Sequence, residues 1–479
     1  MFTYQDFQKE IERTGIEGAI ATAIQNHINS DMYKTALSAD NYNKQKNELI
    51  SSYIRTILSL TGTPIQDFTV SNNKISSNFF HRLNTQRCMY LLGNGVSFSE
   101  HREKTKDEDG NDVTRDLTKE RLGNKFDVDL RDLAYKALIH GVSFGFWNVD
   151  KLHVYPFTEF VPLWDDENGD LRVGIRFWQI DKNKPVNVEL YEEDGISKYR
   201  SKDGSVGYDF ELRSEKTPYK QKYTVSIEGG EDFIGGENYS RIPVVPMWGS
   251  KLHQSTLIGM KEKIDSFDLI RSGFANDLTD CAEIYWIVEN CGGMSEAELE
   301  RFRDRLKINH IAIADTENSN VKPYTQEIPY AARKEYLDEI RSGIYEDFGA
   351  LDVHTVAAGA TNDHIDAAYQ PLDEESDEFE YQVTEFIQGI LALMDISDTP
   401  VFKRNRISNQ KEQTDMVLSA SDYLDTETIL QKLPWVTVDE ISGILIRKME
   451  ESEERMVNSE LTNNPPEEEE EEIENTNLQ

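Results

Sequence analysis

The sequence contains one pattern typical of a covalent nucleophile. Residues 141–145 read GVSFG and match G-x-S-x-G, in which a sharp turn after a strand and before a helix exposes the serine hydroxyl. Here the flanking residues predict the reverse order, because a helix ends before Gly141 and a strand rich in aromatic residues follows it. We therefore interpret the match as accidental, and a hydrolase that uses Ser143 is the third of three hypotheses.

Two acidic loops, 107–112 and 166–171, resemble the start of a calcium-binding loop. The sixth position of such a loop should be glycine, and it is Asp112 in the first and Leu171 in the second. Both loops are interpreted as exposed turns. The histidines are scattered, no Cys/His spacing suggests zinc, and no Walker A motif occurs. The sequence therefore predicts no catalytic residues, no metal and no cofactor, and the protein is not expected to be an enzyme.

The composition indicates an acidic, folded protein. The 479 residues carry a formal net charge of −37, or −30 without the acidic tail that begins at Pro465. Such a body does not favour tight binding to phosphate backbones, which needs clustered Lys and Arg. The three cysteines, Cys88, Cys281 and Cys291, are too few for a disulfide framework and fit a reducing compartment. The polar N-terminus and the lack of a long apolar run predict a soluble cytoplasmic protein.

Helices are predicted on the N-terminal side of a β-rich region. Residues 4–60 are expected to be mainly helical, and a helix from about Ile75 to Leu92 should end at Gly93. From Gly141 to about residue 249 the aromatic and β-branched residues predict a series of strands.

A long helix is predicted from Leu257 to Val288. Its apolar residues are spaced three and four apart, with Arg271 as the polar exception, so they form a single stripe. At 1.5 Å per residue this helix would be roughly 48 Å long, which suggests a strut. The stripe includes Leu257, Met260, Ile264, Phe267, Phe274 and Leu278.

A small α/β unit is expected to turn the chain, with strands at about 311–314 and 321–325. A second helix then returns to about Phe348, with Leu337, Ile340 and Ile344 on the same apolar face as Phe348. The segment after this return, from His354 to Asn362, consists mainly of small residues and contains no Asp, Glu, Lys or Arg.

Another helix is predicted from about Asp363 to Met394, and Pro371 should kink or break it. Residues 400–407 are a strand candidate, and the C-terminal region beyond them is expected to be helical. The six consecutive glutamates at 467–472 predict a disordered, solvated tail.

The order and spacing of these elements resemble those of portal proteins of tailed bacteriophages, of the type common in phages of Gram-positive hosts. The resemblance does not depend on a catalytic signature. It is carried by 31–47, 73–96, 140–150 (HGVSFGFWNVD), 242–280 and 424–440.

The resemblance implies an α+β fold of portal architecture that assembles as a ring. It divides the chain into a wing at 1–249 and 363–407, stem helices at 250–291 and 329–349, a clip at 292–328, a tunnel loop at 350–362, a helical crown at 408–464 and a disordered acidic tail at 465–479. It also implies a dodecamer at one capsid vertex, through which double-stranded DNA is packaged and ejected.

The implied partners are a terminase, which supplies the ATP chemistry, then head–tail connector or adaptor proteins, and the major capsid and scaffold proteins. No membrane is involved, and the protein would be assembled in the host cytoplasm and end in the virion. The second hypothesis is a capsid assembly or scaffold-like structural protein without a channel.

The tunnel loop is the candidate site that the resemblance assigns. Small side chains and a movable backbone suit a place where twelve loops meet around one axis, and the lack of Lys and Arg suits DNA that must slide. The loop residues are Val353, His354, Thr355, Val356, Ala357, Ala358, Gly359, Ala360, Thr361 and Asn362. The candidate basic residues of the channel are Lys322, Arg333, Lys334 and Arg341; for each of these four, a solvated helix face is the alternative.

Overall fold

A computed structural model gives the architecture of the chain. It describes residues 2–58, 63–66, 71–106, 112–202, 209–225, 231–280, 285–289, 320–324, 329–355 and 361–406, with shorter stretches within 295–301 and 410–448. The helices in these ranges are α1 (Tyr4–Asn29), α2 (Asp31–Asn43), α3 (Glu48–Ser52), α4 (Phe79–Leu92), α5 (Leu117–Leu122), α6 (Phe126–His140), α7 (Lys261–Asp280), α8 (Tyr330–Phe348), α9 (Asn362–Leu393), α10 (Gln410–Ser419) and α11 (Thr426–Lys432).

The strands follow the predicted β-rich region, with short additions on both sides. They are β1 (Thr56–Leu58), β2 (Pro64–Gln66), β3 (Val96–Phe98), β4 (Arg102–Lys106), β5 (Asp112–Asp116), β6 (Val142–Asn148), β7 (Lys151–Pro156), β8 (Phe160–Trp164), β9 (Leu171–Trp178), β10 (Asn187–Glu192), β11 (Gly195–Ser201), β12 (Phe210–Thr217), β13 (Lys220–Val225), β14 (Glu231–Glu237), β15 (Val244–Trp248), β16 (Tyr285–Glu289), β17 (Asn320–Tyr324) and β18 (Pro400–Phe402). The predicted α+β class is confirmed.

Two antiparallel sheets form the centre of the larger of two compact units. One has the strand order β12-β11-β10-β9-β8 and the other β15-β6-β7. Because β-strands alternate their side chains between two faces, β11 buries every second residue, whereas β10 buries Val188 and Leu190 on one face and Tyr191 on the other. The strands β16 and β17 pair with each other from Tyr285 opposite Tyr324 to Glu289 opposite Asn320, which confirms the strand predicted at about 321–325.

Three buried clusters hold this unit together. The first joins α4, α6 and α9 to the three-stranded sheet, with Phe144, Phe379 and Phe386 fully buried. The second packs α1 against the five-stranded sheet. The third gathers the start of α7 and the end of α8 around Phe79 and Phe80 of α4. The helix pair is therefore anchored in the core at one end.

The larger unit comprises residues 1–102, 116–351 and 370–405. The smaller unit comprises 103–115, 352–369 and 406–479, and within it α10 packs against α11. Within the described ranges, no helix has the length and apolar composition that would span a bilayer.

The prediction of one helix from Leu257 to Val288 is wrong. The helix begins at Lys261 and ends at Asp280, so it is roughly 30 Å long, and Tyr285–Glu289 form β16. The apolar spacing continued because β16 supplies apolar residues of its own, and pairing with β17 decides its conformation.

The helix predicted from Ile75 begins four residues later, at Phe79. Residues 73–77 have no regular secondary structure, and side chains of α7 accept hydrogen bonds from the backbone N–H groups of Asn73, Ile75 and Ser77. Gly93 ends the helix as predicted.

Pro371 was predicted to kink or break the helix that contains it; the break is wrong, since α9 continues through this residue, and the kink stays a prediction. A proline inside a helix costs about 3 kcal/mol. The face of α9 beyond it is buried through Leu372, Phe379 and Val383, and this packing outweighs the local cost. The predicted strand at 400–407 is confirmed as the short β18, which pairs with β3.

Candidate functional site

The helices α7 and α8 form an antiparallel pair. Lys263 of α7 binds Asp347 of α8 and donates to the carbonyl of Gly343 at 3.3 Å. Towards the other end of the pair, Arg333 forms an ion pair with Asp277. The polar contacts at both ends fix the register of one helix against the other.

The apolar stripe predicted for α7 is buried where the pair enters the core. Leu257, Met260, Ile264 and Phe267 are each less than a tenth exposed. Farther along, Phe274 is half-buried with its ring 5.8 Å from that of Tyr330, and Leu278 is 55% exposed. In a single chain the pair therefore leaves apolar surface uncovered at its far end.

A second face of α7 carries three polar residues spaced four apart, Asp268, Ser272 and Asn276, each at most 5% exposed. Their side chains accept hydrogen bonds from the backbone N–H groups of Ser77 (2.9 Å), Ile75 (3.0 Å) and Asn73 (2.5 Å). We call residues 73–77 the strap. Four residues of helix rise about 6 Å and two extended residues span about 6.6 Å, so every helical turn meets every second strap residue.

Asp268 is the most buried member of this ladder. Burial raises the pKa of its carboxyl group, although donation from Asn47 (2.8 Å) and Ser77 acts in the opposite direction. Residue types alone could have indicated the ladder, because Asp, Ser and Asn at four-residue intervals are unusual in a helix that is packed on its other side. The spacing of the apolar residues predicted a single stripe for α7 and gave no indication of these three polar residues.

The chain leaves α8 through a left-handed residue, Gly349, at φ 62° and ψ 41°. Two side chains of α4 hold this exit. Gln86 donates to the carbonyl of Leu351 (2.9 Å) and accepts from its N–H (3.1 Å). Arg87 donates to the carbonyl of Phe348, lies 4.3 Å above its ring and forms a 3.0 Å ion pair with Glu375 of α9.

Only part of the predicted tunnel loop lies within the described residues. Val353–Thr355 form a 3₁₀ turn, and the side chains of Val353 and His354 are exposed. Asn362 is the first residue of α9, and the hydroxyl of Thr361 lies 2.8 Å from Nδ1 of His364. Residues 356–360, which include Ala357 and Ala358, lie outside the described residues.

The four candidate basic residues occupy different environments. Arg333 is paired with Asp277, and Arg341 lies 5.4 Å from the ring centroid of Tyr345. Lys334 is exposed on α8. Lys322 lies on β17, but its side chain is outside the described residues. The three side chains that the structure describes, Arg333, Lys334 and Arg341, therefore do not share one environment.

The face of α8 that points away from α7 is acidic. On a helix of 3.6 residues per turn, Glu335, Asp338, Glu339 and Glu346 lie opposite the apolar Leu337, Ile340 and Ile344. All four acidic residues are exposed. Ser342 shares this face and donates to Glu346 at 3.1 Å. A rod with one packed face and one negatively charged face results.

Ser143 does not have the geometry of a nucleophile. Its side chain is fully buried on β6, directly after α6, and its hydroxyl donates to the carbonyl of Leu133 at 2.7 Å. A substrate cannot reach this hydroxyl, which argues against the hydrolase hypothesis.

Of the two acidic loops, 166–171 follows directly after Asp165, which pairs with Arg172 at 3.1 Å. The other loop, 107–112, lies mostly outside the described residues.

Comparison with known proteins settles the family. A family model described as "Phage portal protein, SPP1 Gp6-like" matches residues 24–456. This chain belongs to that family of phage portal proteins. Portal proteins are structural components of the phage virion.

Two curated relatives carry the name "Portal protein". The protein of Clostridium phage phiCD119 is 25% identical over 84% of this chain and 89% of its own length. That of Bacillus phage SPP1 is 23% identical over 74% of this chain and 68% of its own length. Among solved structures, a chain of "Neck of native GTA particle computed with C12 symmetry" matches with a TM-score of 0.33 and 11% identity. That match covers 65% of this portal protein and 81% of the other chain.

Proposed function

We propose that this portal protein forms a closed ring at one vertex of the capsid and that double-stranded DNA passes through the ring during packaging and ejection. The observation that carries the proposal is the family match over residues 24–456. A twelve-membered ring is the proposed assembly, formed in the host cytoplasm before it becomes part of the virion. In such a ring each copy presents two different surfaces to its neighbours.

The helix pair supports a role as the wall of a channel. The far end of the pair exposes Leu278 (55%) and Tyr330 (59%), which a neighbouring copy would cover. The acidic face of α8 then lines the channel. Phosphates repel this face, so DNA can slide along it without being bound tightly. Lys334 and Arg341, which lie beside that face on the helix, are candidates for centring the DNA.

The family's four parts supply the proposed organisation of the chain. The wing comprises 1–249 and 363–407, the stem 250–291 and 329–349, the clip 292–328 and the crown 408–464. The clip would dock the terminase and later the head–tail connector, and the capsid and scaffold proteins would contact the outside of the ring. The tunnel loop at 350–362 would project into the channel.

Electron microscopy and native mass of the purified protein test the proposal. We expect closed rings with a central hole and a mass that is a whole multiple of 55.1 kDa. A chain that stays monomeric, even when it is assembled with its own scaffold and capsid proteins, would favour the second hypothesis of a structural protein without a channel.

A further inference from the structure

The exit from α8 is held by more contacts than a helix end requires. A left-handed glycine by itself satisfies the last carbonyls, and the N–H of Gly349 already bonds to Glu346 at 3.1 Å. The contacts from Gln86 and Arg87 are additional, and both come from the same turn of α4. Their geometry shows what they hold in place.

Arg87 joins three helices through one side chain. It belongs to α4, it donates to the last residue of α8, and it forms an ion pair with Glu375 of α9. Arg87 is 5% exposed, and burial lowers its pKa although Glu375 opposes this effect. Nε of Arg87 is buried without a hydrogen-bond partner among the described residues, so the contacts with Phe348 and Glu375 are what hold this charged group in place. Moving any of the three helices would remove at least one of them, and a buried charge that loses its partner is strongly destabilising.

Gln86 holds the backbone of Leu351, two residues beyond Gly349. Its amide forms two hydrogen bonds to the backbone of Leu351, one donated and one accepted, in the manner of a neighbouring strand. The backbone is thus held up to Leu351, which is 5% exposed, whereas the side chains of Val353 and His354 are exposed.

The two sides of the Arg87 contact differ in exposure. The α8 side is buried, whereas the side chain of Glu375 on the α9 side is 45% exposed. Water and salt screen an exposed partner much more than a buried one. The contact between Arg87 and α9 is therefore the weaker one.

We infer that Gln86 and Arg87 are positioning residues that fix the point where the chain leaves the helix pair, and that the Arg87–Glu375 contact is the side of this junction that opens. The inference deepens the proposed function and rests on it, because it assigns control of the tunnel loop's starting point to α4. The junction acts as a latch: closed, it holds α8 and α9 together at the base of the loop.

The test compares Glu375→Gln with Glu374→Gln, the same substitution at the preceding, exposed position. Hydrogen exchange is measured on the full chain for the amides of residues 349–355, at low salt and in 1 M NaCl. In Glu375→Gln we expect these amides to exchange about tenfold faster at low salt, with an unchanged urea midpoint. We expect Glu374→Gln to match the wild type.

Salt gives the second readout. In the wild type, 1 M NaCl should speed the same exchange several-fold, because it screens the half-exposed ion pair. In Glu375→Gln, salt should have no further effect. Arg87→Lys should show fast exchange at both salt concentrations, because Nη2 makes both contacts and lies one bond farther from Cα than a lysine Nζ does.

Equal exchange in Glu375→Gln and wild type, or the same salt response in both, would overturn the inference. If Arg87→Lys does not fold, the comparison of Glu375→Gln with Glu374→Gln still decides. Exchange on the purified chain needs neither DNA nor a capsid. A failure of the channel proposal would therefore appear as missing rings, and a failure of the latch as unaltered exchange in a protein that forms rings.

Discussion

Gly349 shows how much depends on one residue at the end of α8. A Cβ added there would lie 2.5 Å from Cγ of Glu375 and 3.2 Å from the carbonyl oxygen of Pro371, and the residue has a positive φ. Glu375 could move aside, but Pro371 contributes backbone. The position therefore requires glycine for its conformation and for the space it leaves.

Gly349→Ala is expected to lower the free energy of unfolding by about 1–3 kcal/mol, because alanine is strained in the left-handed region and meets Pro371. Gly273→Ala in α7 is the control. A Cβ at Gly273 has no heavy atom within 4 Å, so alanine should raise the stability by about 0.5–1 kcal/mol. Urea unfolding of the two variants should give opposite signs. The same sign for both would contradict this account of Gly349.

The sequence predicted the helix end at Gly349 but not the side chains that hold it in place. A glycine after a run of helical residues indicates a helix end, and the helix was correctly predicted to stop at about Phe348. The roles of Gln86 and Arg87 could not be predicted, because their partners lie more than 250 positions away in the chain. Within α4 both look like ordinary polar helix residues.

At the scale of elements, α7 was predicted as a helix but with wrong bounds. Spacing of three and four indicates which face of a helix is apolar, but it does not indicate where hydrogen bonding within the helix gives way to pairing between strands. The pairing of β16 with β17 joins residues 285–289 to 320–324, and no local pattern contains that information. The start of α4 was likewise predicted too early, inside the strap. The contacts that hold the strap against α7 join residues nearly 200 positions apart, so the local sequence does not indicate them.

The ladder between the strap and α7 makes a prediction at this scale. Ser272→Ala removes the acceptor of the Ile75 N–H and should lower the free energy of unfolding by about 1–3 kcal/mol, the cost of an unsatisfied buried donor. Thr279→Ala is the control, because Thr279 lies on the exposed edge of the same helix and its 3.4 Å contact with Asn73 is long. It should change stability by less than about 0.5 kcal/mol. Amide exchange of residues 73–77 should accelerate only in Ser272→Ala. Similar exchange in both variants would show that the strap is held by other contacts.

For the whole molecule, the order of the elements along the chain indicated the protein family better than any single element did. No segment carried a catalytic signature, yet the succession of segments resembled portal proteins, and the family match over residues 24–456 confirms it. The resemblance remained recognisable although the bounds of α7 and α4 were wrong, because sequence similarity over hundreds of residues does not depend on assigning each helix correctly.

The acidic character of the chain also acquires meaning at this scale. A net charge of −37 would lower the DNA affinity of a protein that must hold DNA tightly. It suits a channel that must release DNA at every step. The exposed acidic face of α8 is where this charge would act. Positive charge introduced at the narrowest part of such a channel should therefore hinder DNA movement more than assembly.

Replacing both Ala357 and Ala358 by Lys tests this expectation. In a twelve-membered ring the change adds 24 positive charges around one axis, and each contact between a lysine and a phosphate adds salt-dependent affinity. We expect rings that assemble normally and package DNA at least tenfold more slowly, with partial recovery as salt is raised. The matched control replaces both alanines by Gln, which adds comparable length without charge; it should slow packaging much less. If the lysine and glutamine variants are slowed equally and neither responds to salt, bulk and not charge limits passage. If both package at the wild-type rate, residues 350–362 do not lie in the path of the DNA.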